Sequence, residues 1–378
     1  QRSPQIPAPA VVLLDERDKF RAAAEDALLV RANITPLEKA APGARDLAGW
    51  TMVELARHSL KVAGLPITGS RMEMVGRAMV SGDFPLLLAN VAHKALFSGW
   101  EEADETWNTW CGTDSVSDFK THYMPRASET DDLLEVPEHG QYKHGERSEA
   151  QESYAIATFG RLFAITRQTI INDDLRALSD IPARHGEAAR RKIGDIAYAV
   201  LIANAAMGDG VALFHAGHGN LLTGADVGVA GIGAAILAMG TQKDILGKRR
   251  LNIRPVFLIA PKALEGAAEV FFRSEKFADQ AVAATPDMAT ATTRVNPYAG
   301  SYFTRVYEPR LDDADANAWY LAARKGRTVV LFFLDGVQTP YLETQRGWSV
   351  DGVEYKVRID CGAKAVDWRG LAKNPGPS

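Results

Sequence analysis

Residues 152–178 read ESYAIATFGRLFAITRQTIINDDLRAL, and residues 208–222 read GDGVALFHAGHGNLL. The first stretch is dense in β-branched and aromatic residues: Tyr154, Ile156, Thr158, Phe159, Phe163, Ile165, Thr166 and Ile170. Such composition predicts strand. It stops at Asn172-Asp173-Asp174, where a carboxylate suits the start of a helix by accepting backbone N–H bonds. A helix is expected over about 183–206, with Ile193, Ile196, Ala197, Val200 and Leu201 on one buried face. Its first half carries Arg184, Arg190, Arg191 and Lys192. A Gly/His-rich turn then closes the run.

Immediately before this stretch, residues 129–152 carry eight acids against two bases, with Pro137, Gly140 and Gly145 as turn formers. The expected element is a long two-stranded excursion, about 119–171, with a charged, solvated tip. A hairpin of that kind is marginal alone and needs a surface to lie on. Further back, Asp83 can cap and Pro85 suits the first turn of a helix ending near Ala103, with Leu87, Val91, Ala95 and Leu96 as its stripe. Another helix is expected over 47–62. Residues 1–46 hold Pro4, Pro7, Pro9, Pro36 and Pro42 and one helical patch near 19–30, and predict an extended arm with little core of its own.

Downstream, helices are expected near 226–243 and 263–272, and strands at 256–259, 328–334 and 353–359, the last paired through Asp351-Gly352. Helices and strands mix without a βαβ rhythm, which favours an α+β fold.

Composition narrows the function classes. Lys and Arg number 43 against 47 Asp and Glu, a formal net charge of −4 that argues against a protein coating nucleic acid. Cys111 and Cys361 form no CxxC pair and no zinc spacing. The longest uncharged runs, 211–225 and 227–242, fall short of the roughly 18 residues a membrane span needs.

Several motifs invite chemistry. His215 and His218 have H-x-x-H spacing and support a metal-dependent hydrolase as one alternative. Glycines flank the second histidine, however, whereas hydrolytic zinc motifs place i, i+4 histidines on a helix. Asp173 and Asp174 lack the alternating acids, central Gly and distal Glu of a calcium loop, and Arg167 is their expected ion-pair partner. Gly228, Gly231 and Gly233 lack the order of a nucleotide loop. The basic run containing Lys248, Arg249 and Arg250 suits phosphate, an acidic neighbour or water alone. No constellation assembles nucleophile, base and oxyanion site, so an enzyme is not expected, nor a cofactor.

Four blocks resemble the major capsid proteins of tailed phages with the Hong Kong 97-type fold. They are DFPLLLANVAHKALFSGWEEA (83–103), GRLFAITRQTIINDDL (160–175), LFHAGHGNLL (213–222) and VDWRGLAKNP (366–375). The similarity is greatest to the Mu-like branch, whose members are encoded behind a prohead protease. The resemblance implies an N-terminal arm (1–46), helices packing on the peripheral domain (47–118) and an extended loop (119–168). It further implies a peripheral domain with a long spine helix (169–207 and 327–378) and an axial domain (208–326).

It also implies proteolytic maturation upstream of Gln1 and self-assembly into pentamers and hexamers of an icosahedral shell. The expected partners are packaged double-stranded DNA, a portal, scaffold or prohead protease, and cement proteins. The expected location is the virion, after assembly in the bacterial cytoplasm. Encapsulin-like and gene-transfer-agent shells stay open as alternatives of the same fold. The residues expected at interfaces are Glu138, Lys143, Glu146, Arg147, Glu149, Arg167, Asp173, Asp174, Lys248, Arg249 and Arg250. Some family members weld subunits through a Lys–Asn bond. Lys143 is the only lysine between Lys120 and Lys192. No Asn partner is identifiable, so no crosslink is expected.

Overall fold

The computed structural model describes residues 16–81, 83–127, 149–245, 247–278, 293–346 and 351–377. The helices are α1 (Glu16–Arg31), α2 (Ala44–Leu47), α3 (Met52–Val62), α4 (Arg71–Ala78), α5 (Asp83–Glu102), α6 (Trp107–Trp110), α7 (Arg167–Ile171), α8 (Arg176–Ala203), α9 (Val229–Gly240), α10 (Glu265–Arg273) and α11 (Pro309–Asp312). The strands are β1 (Gly112–Val116), β2 (His122–Ala127), β3 (Glu149–Tyr154), β4 (Ala157–Thr166), β5 (Phe257–Pro261), β6 (Lys276–Ala278), β7 (Thr293–Val295), β8 (Thr304–Glu308), β9 (Trp319–Ala322), β10 (Val329–Leu334), β11 (Tyr341–Arg346), β12 (Gly352–Ala365) and β13 (Leu371–Asn374).

Packing divides the described residues into two compact units. One holds those up to Asp104 with Phe159–Arg190 and Thr339–Ile359; the other holds those of Glu105–Thr158, Arg191–Gln338 and Asp360–Ser378. These limits cut the chain at other points than 168, 207 and 326. Helix α8 and strand β12 each give their first part to the first unit and the rest to the second.

The first unit is mainly helical. Thr51 caps α3 and Ser70 caps α4, each in a reciprocal box with the glutamate three residues on, Glu54 and Glu73. Phe84, Leu87, Leu88, Val91, Ala92, Ala95 and Leu96 put one face of α5 wholly inside. At roughly 1.5–3 kcal/mol per large apolar side chain, that face is the main support of the unit.

The arm expected over 1–46 is corrected for its described part. Ala24, Leu28 and Leu29 of α1 are fully buried in the same core as α5. The prolines flank this segment without entering it, so the Ala/Leu face of α1 folds as an ordinary core helix. Helix α8 starts at Arg176 rather than near 183 and carries Pro182 inside it, at the loss of one backbone hydrogen bond.

Helices α5 and α8 meet backbone to backbone. A Cβ on Gly99 would lie 2.0 Å from the carbonyl oxygen of Ala183, and one on Gly186 the same distance from that of Leu96. Only glycine fits on both sides of this crossing. In the same unit β11 pairs antiparallel with β12, from Tyr341↔Arg358 to Arg346↔Val353.

In the second unit β1 runs parallel to β10, and β10 antiparallel to the later part of β12. A four-stranded sheet in the order β13-β9-β5-β8 packs Leu258 and Leu321 against Ile232, Ala235 and Met239 of α9 and Phe272 of α10. Within the expected excursion β2 pairs with β3, from His122↔Tyr154 to Ala127↔Glu149; the β-rich run read as its returning leg is β4, which pairs with β12 instead. Tyr154 stacks on Phe332 at 3.7 Å between ring centres. Glu138, Lys143, Glu146 and Arg147 lie outside the described residues; Glu149 enters β3, and only its backbone is described. No described helix is long and apolar enough to cross a membrane.

Candidate functional site

In the first unit the chain leaves β4, makes the short helix α7, and turns at Asp173 with a left-handed φ of 51°. That turn aims the carboxylate at the start of α3. Oδ1 accepts the Met52 backbone N–H at 2.7 Å, and Oδ2 accepts from Arg31 at 2.6 Å. Arg31 also donates to the Trp50 carbonyl at 2.7 Å. One carboxylate therefore joins α1, α3 and the strand-to-helix turn, where the helix dipole favours it.

Arg167 is not its partner, contrary to the sequence expectation. Arg167 opens α7 and is drawn to Asp351, which accepts from its guanidinium at 2.8 Å and, through the carbonyl, from its backbone N–H at 3.0 Å. Asp174 is exposed two residues before α8.

In the second unit the Gly/His loop is closed by its own side chains. His215 accepts the Gly217 N–H at 3.0 Å through Nδ1. His218 is buried: its Nδ1 lies 3.2 Å from the Leu213 carbonyl and its Nε2 2.8 Å from Asp209 Oδ2. Its ring lies flat on Trp368 at 4.2 Å. Burial pushes the Asp209 carboxyl upward, but the Val211 N–H and the His218 imidazole outweigh it and hold the group below the usual aspartate value. The two imidazoles stand at 83° with centres 6.5 Å apart. Their nitrogens serve separate backbone and carboxylate partners and do not converge as metal ligands would. Among the described residues no group of three His, Cys, Asp or Glu is placed to hold a metal ion.

The hairpin root joins this loop. Glu152 is wholly buried on β3, and both of its carboxylate oxygens accept the Gly208 N–H, at 3.1 and 2.9 Å. A Cβ at Gly208 would lie 2.2 Å from the Gln151 carbonyl oxygen, so the strand rests directly on this backbone. Gln151, Asp209, His218, Gln242, Trp368 and Arg369 help line a cleft of about 820 Å³ beside it.

A second cluster gave no local sign in the sequence. Arg310 donates to Glu105 in a bidentate fork at 3.0 and 2.8 Å, to Asp195 at 2.7 Å and to Glu308 at 3.0 Å. The Glu105 and Glu308 side chains are only 2% and 4% exposed. Burial pushes the Glu105 carboxyl above its ordinary value despite the guanidinium. Glu308 also accepts from the Thr106 hydroxyl, which meets Tyr198 Oη at 2.6 Å, and Trp110 donates to Tyr198 at 3.1 Å.

Lys248, Arg249 and Arg250 are exposed on a loop folded around Asp244, whose carboxylate accepts the Lys248 and Arg249 backbone N–H groups. Both thiols are buried, and burial pushes Cys361 up to about 12, so it is protonated at neutral pH. These arrangements position backbone and join elements; the candidate site is a set of structural locks and exposed surfaces.

A family model described as "Phage capsid protein" matches residues 149–374, more than half of the chain. The chain belongs to this phage capsid protein family. The α+β architecture with its long helix is the one the Hong Kong 97-type resemblance implies. Among solved structures, the chain is similar to the cyanophage Pam1 capsid asymmetric unit at 12% identity and TM-score 0.46, covering 72% of this chain and 92% of that one. It is similar to Mycobacterium phage Cain at 10% identity and TM-score 0.45, covering 72% and 90%. An encapsulin complex from Synechococcus elongatus is similar at 8% identity and TM-score 0.42, covering 73% and 88%. No curated protein sequence matches.

Proposed function

We propose that this phage capsid protein is the major head-shell subunit of a tailed phage or prophage, assembling with copies of itself into pentamers and hexamers of an icosahedral shell around double-stranded DNA. The carrying observation is the family match over residues 149–374, which runs from β3 to β13. Its role is structural rather than catalytic. The sequence blocks support the finer reading of a Mu-like subunit matured by a prohead protease, with portal, scaffold and cement proteins as further partners. Assembly in the host cytoplasm and residence in the virion follow from that reading. The hairpin of one subunit lies across a neighbour, and many modest contacts of this kind sum to a stable shell.

Electron microscopy of the purified chain tests the proposal: closed particles of uniform size are expected, and monomers at every concentration would overturn it. Deleting residues 138–149 is expected to leave a foldable subunit that no longer forms particles; normal particles from that variant would end the hairpin argument. Nuclease-protected DNA inside particles made in an infected or induced host separates a phage head from an encapsulin-like compartment. Sequencing that DNA separates a phage head, which holds its own genome, from a gene-transfer-agent shell.

A further inference from the structure

The arginines that approach one another in the second unit come from segments far apart in sequence. Residues 248–254 contain Lys248, Arg249, Arg250 and Arg254, and residues 324–327 contain Arg324, Lys325 and Arg327. Folding brings the end of the first segment against the β9–β10 turn around a groove of about 380 Å³, lined by Arg254, Arg324 and Arg327 together with Asn252, Val256 and Asp367. We propose that this groove is a contact surface for the phosphate backbone of double-stranded DNA, an inference that rests on the reading of the chain as a DNA-enclosing shell subunit.

Three features of the groove carry the argument. Arg254, Arg324 and Arg327 are all exposed. None of them has a carboxylate partner among the described residues. The one acid in the lining, Asp367, is already engaged by Arg369, which reaches it at 3.3 Å through the guanidinium and 3.0 Å through the backbone N–H. Like charges held side by side repel, and an anion placed between them relieves that repulsion. A guanidinium fork matches two phosphate oxygens at once. Leu251, Ile253 and Val256 line the groove between the arginines. No aromatic residue lines it, whereas the energetic centres of protein interfaces are rich in aromatic anchors. Contacts made through charge alone read no sequence, so binding is sequence-independent and salt-dependent.

The test uses the purified chain and a short random-sequence duplex, with affinity followed by fluorescence anisotropy between about 50 and 200 mM salt. Replacing Arg254, Arg324 and Arg327 together by alanine is expected to weaken binding about tenfold or more at low salt. It should also flatten the plot of log affinity against log salt by about two to three units, near 0.9 per lost phosphate contact. The triple lysine variant keeps the charge and is expected to retain most of that slope, which guards against a loss caused by misfolding. A matched charge removal on the first unit, Arg45→Ala, Arg57→Ala and Lys61→Ala, is expected to leave the slope unchanged.

Wild-type protein that binds no duplex overturns the proposal, as does an alanine variant that binds like wild type or a control variant that loses as much. An alanine variant that binds DNA normally but forms no particles would make the groove a subunit contact, overturning the DNA assignment while sparing the shell reading. Failure of the wild-type chain to form particles would instead strike the shell reading, whatever the duplex measurement gives.

Discussion

The two units differ in what they add to an apolar core. In the first, α1, α3, α4 and α5 share one apolar core, and its principal charged lock, Asp173 with Arg31, is about a quarter exposed. The second also has an apolar core, around Leu258, Trp319 and Phe272, but adds polar groups buried inside it: Arg310 among three carboxylates, Glu152 on Gly208, and His218 between Asp209 and Trp368. The difference teaches where mutation is costly. An apolar core spreads its free energy over many contacts, whereas a buried charge concentrates it in one partner.

The largest expected effect follows from that concentration. Arg310→Met leaves Glu105 and Glu308 buried without their cation and is expected to destabilise by about 3–5 kcal/mol in denaturant titration. Adding Glu105→Gln and Glu308→Gln should recover much of the loss, and an undiminished loss would show that charge burial is not the cause.

For the first unit, Gly186→Ala forces a methyl group against the Leu96 carbonyl and is expected to cost about 2–3 kcal/mol. The same substitution at Gly266, where the added methyl meets nothing within 4 Å, should be tolerated. Equal melting temperatures for the two variants would break the account of the α5–α8 crossing.

Asp173→Ala removes one charged helix cap and one ion pair, and about 1–2 kcal/mol is expected. In the same background, Arg31→Ala should then add little.

The smallest effect is the pH dependence of the Asp209 lock. Its folded value lies below the ordinary one, so its stabilisation is present above about pH 4 and fades as pH falls through the folded value. With the carboxylate 42% exposed, the whole contribution is at most about 1 kcal/mol. The stability difference between wild type and Asp209→Asn should therefore close on acidification; a gap that widens there would refute the assignment.

Local patterning accounts for what could be read in advance. Helix α5 was expected over 83–103 and spans Asp83–Glu102, because a cap, a first-turn proline and an unbroken stripe all agree. The buried face of α8 is legible for similar reasons, whereas the returning hairpin leg, β3, lies in the charged stretch that reads as a tip. The start of α8 is not legible, since Pro182 mimics a first-turn proline while the helix runs through it. Strands β9 and β13 carry no readable signal because four residues, largely buried, show no alternation. Of the functional features, the roles of His215 and His218 as loop-closing groups could be seen from their glycine neighbours. The Arg310 cluster and the arginine groove could not. Residues 105, 195, 308 and 310, or 254 and 327, meet only through tertiary folding.

The bond from Gly208 to Glu152 also has a mechanical meaning. The hairpin legs leave the second unit as a ribbon, and this carboxylate pins one leg at its base. The base of the ribbon is thus held twice, by this polar bond and by the stack of Tyr154 on Phe332. Asp209 follows Gly208 directly and holds His218, so the same two residues tie β3 to the cleft beside Trp368.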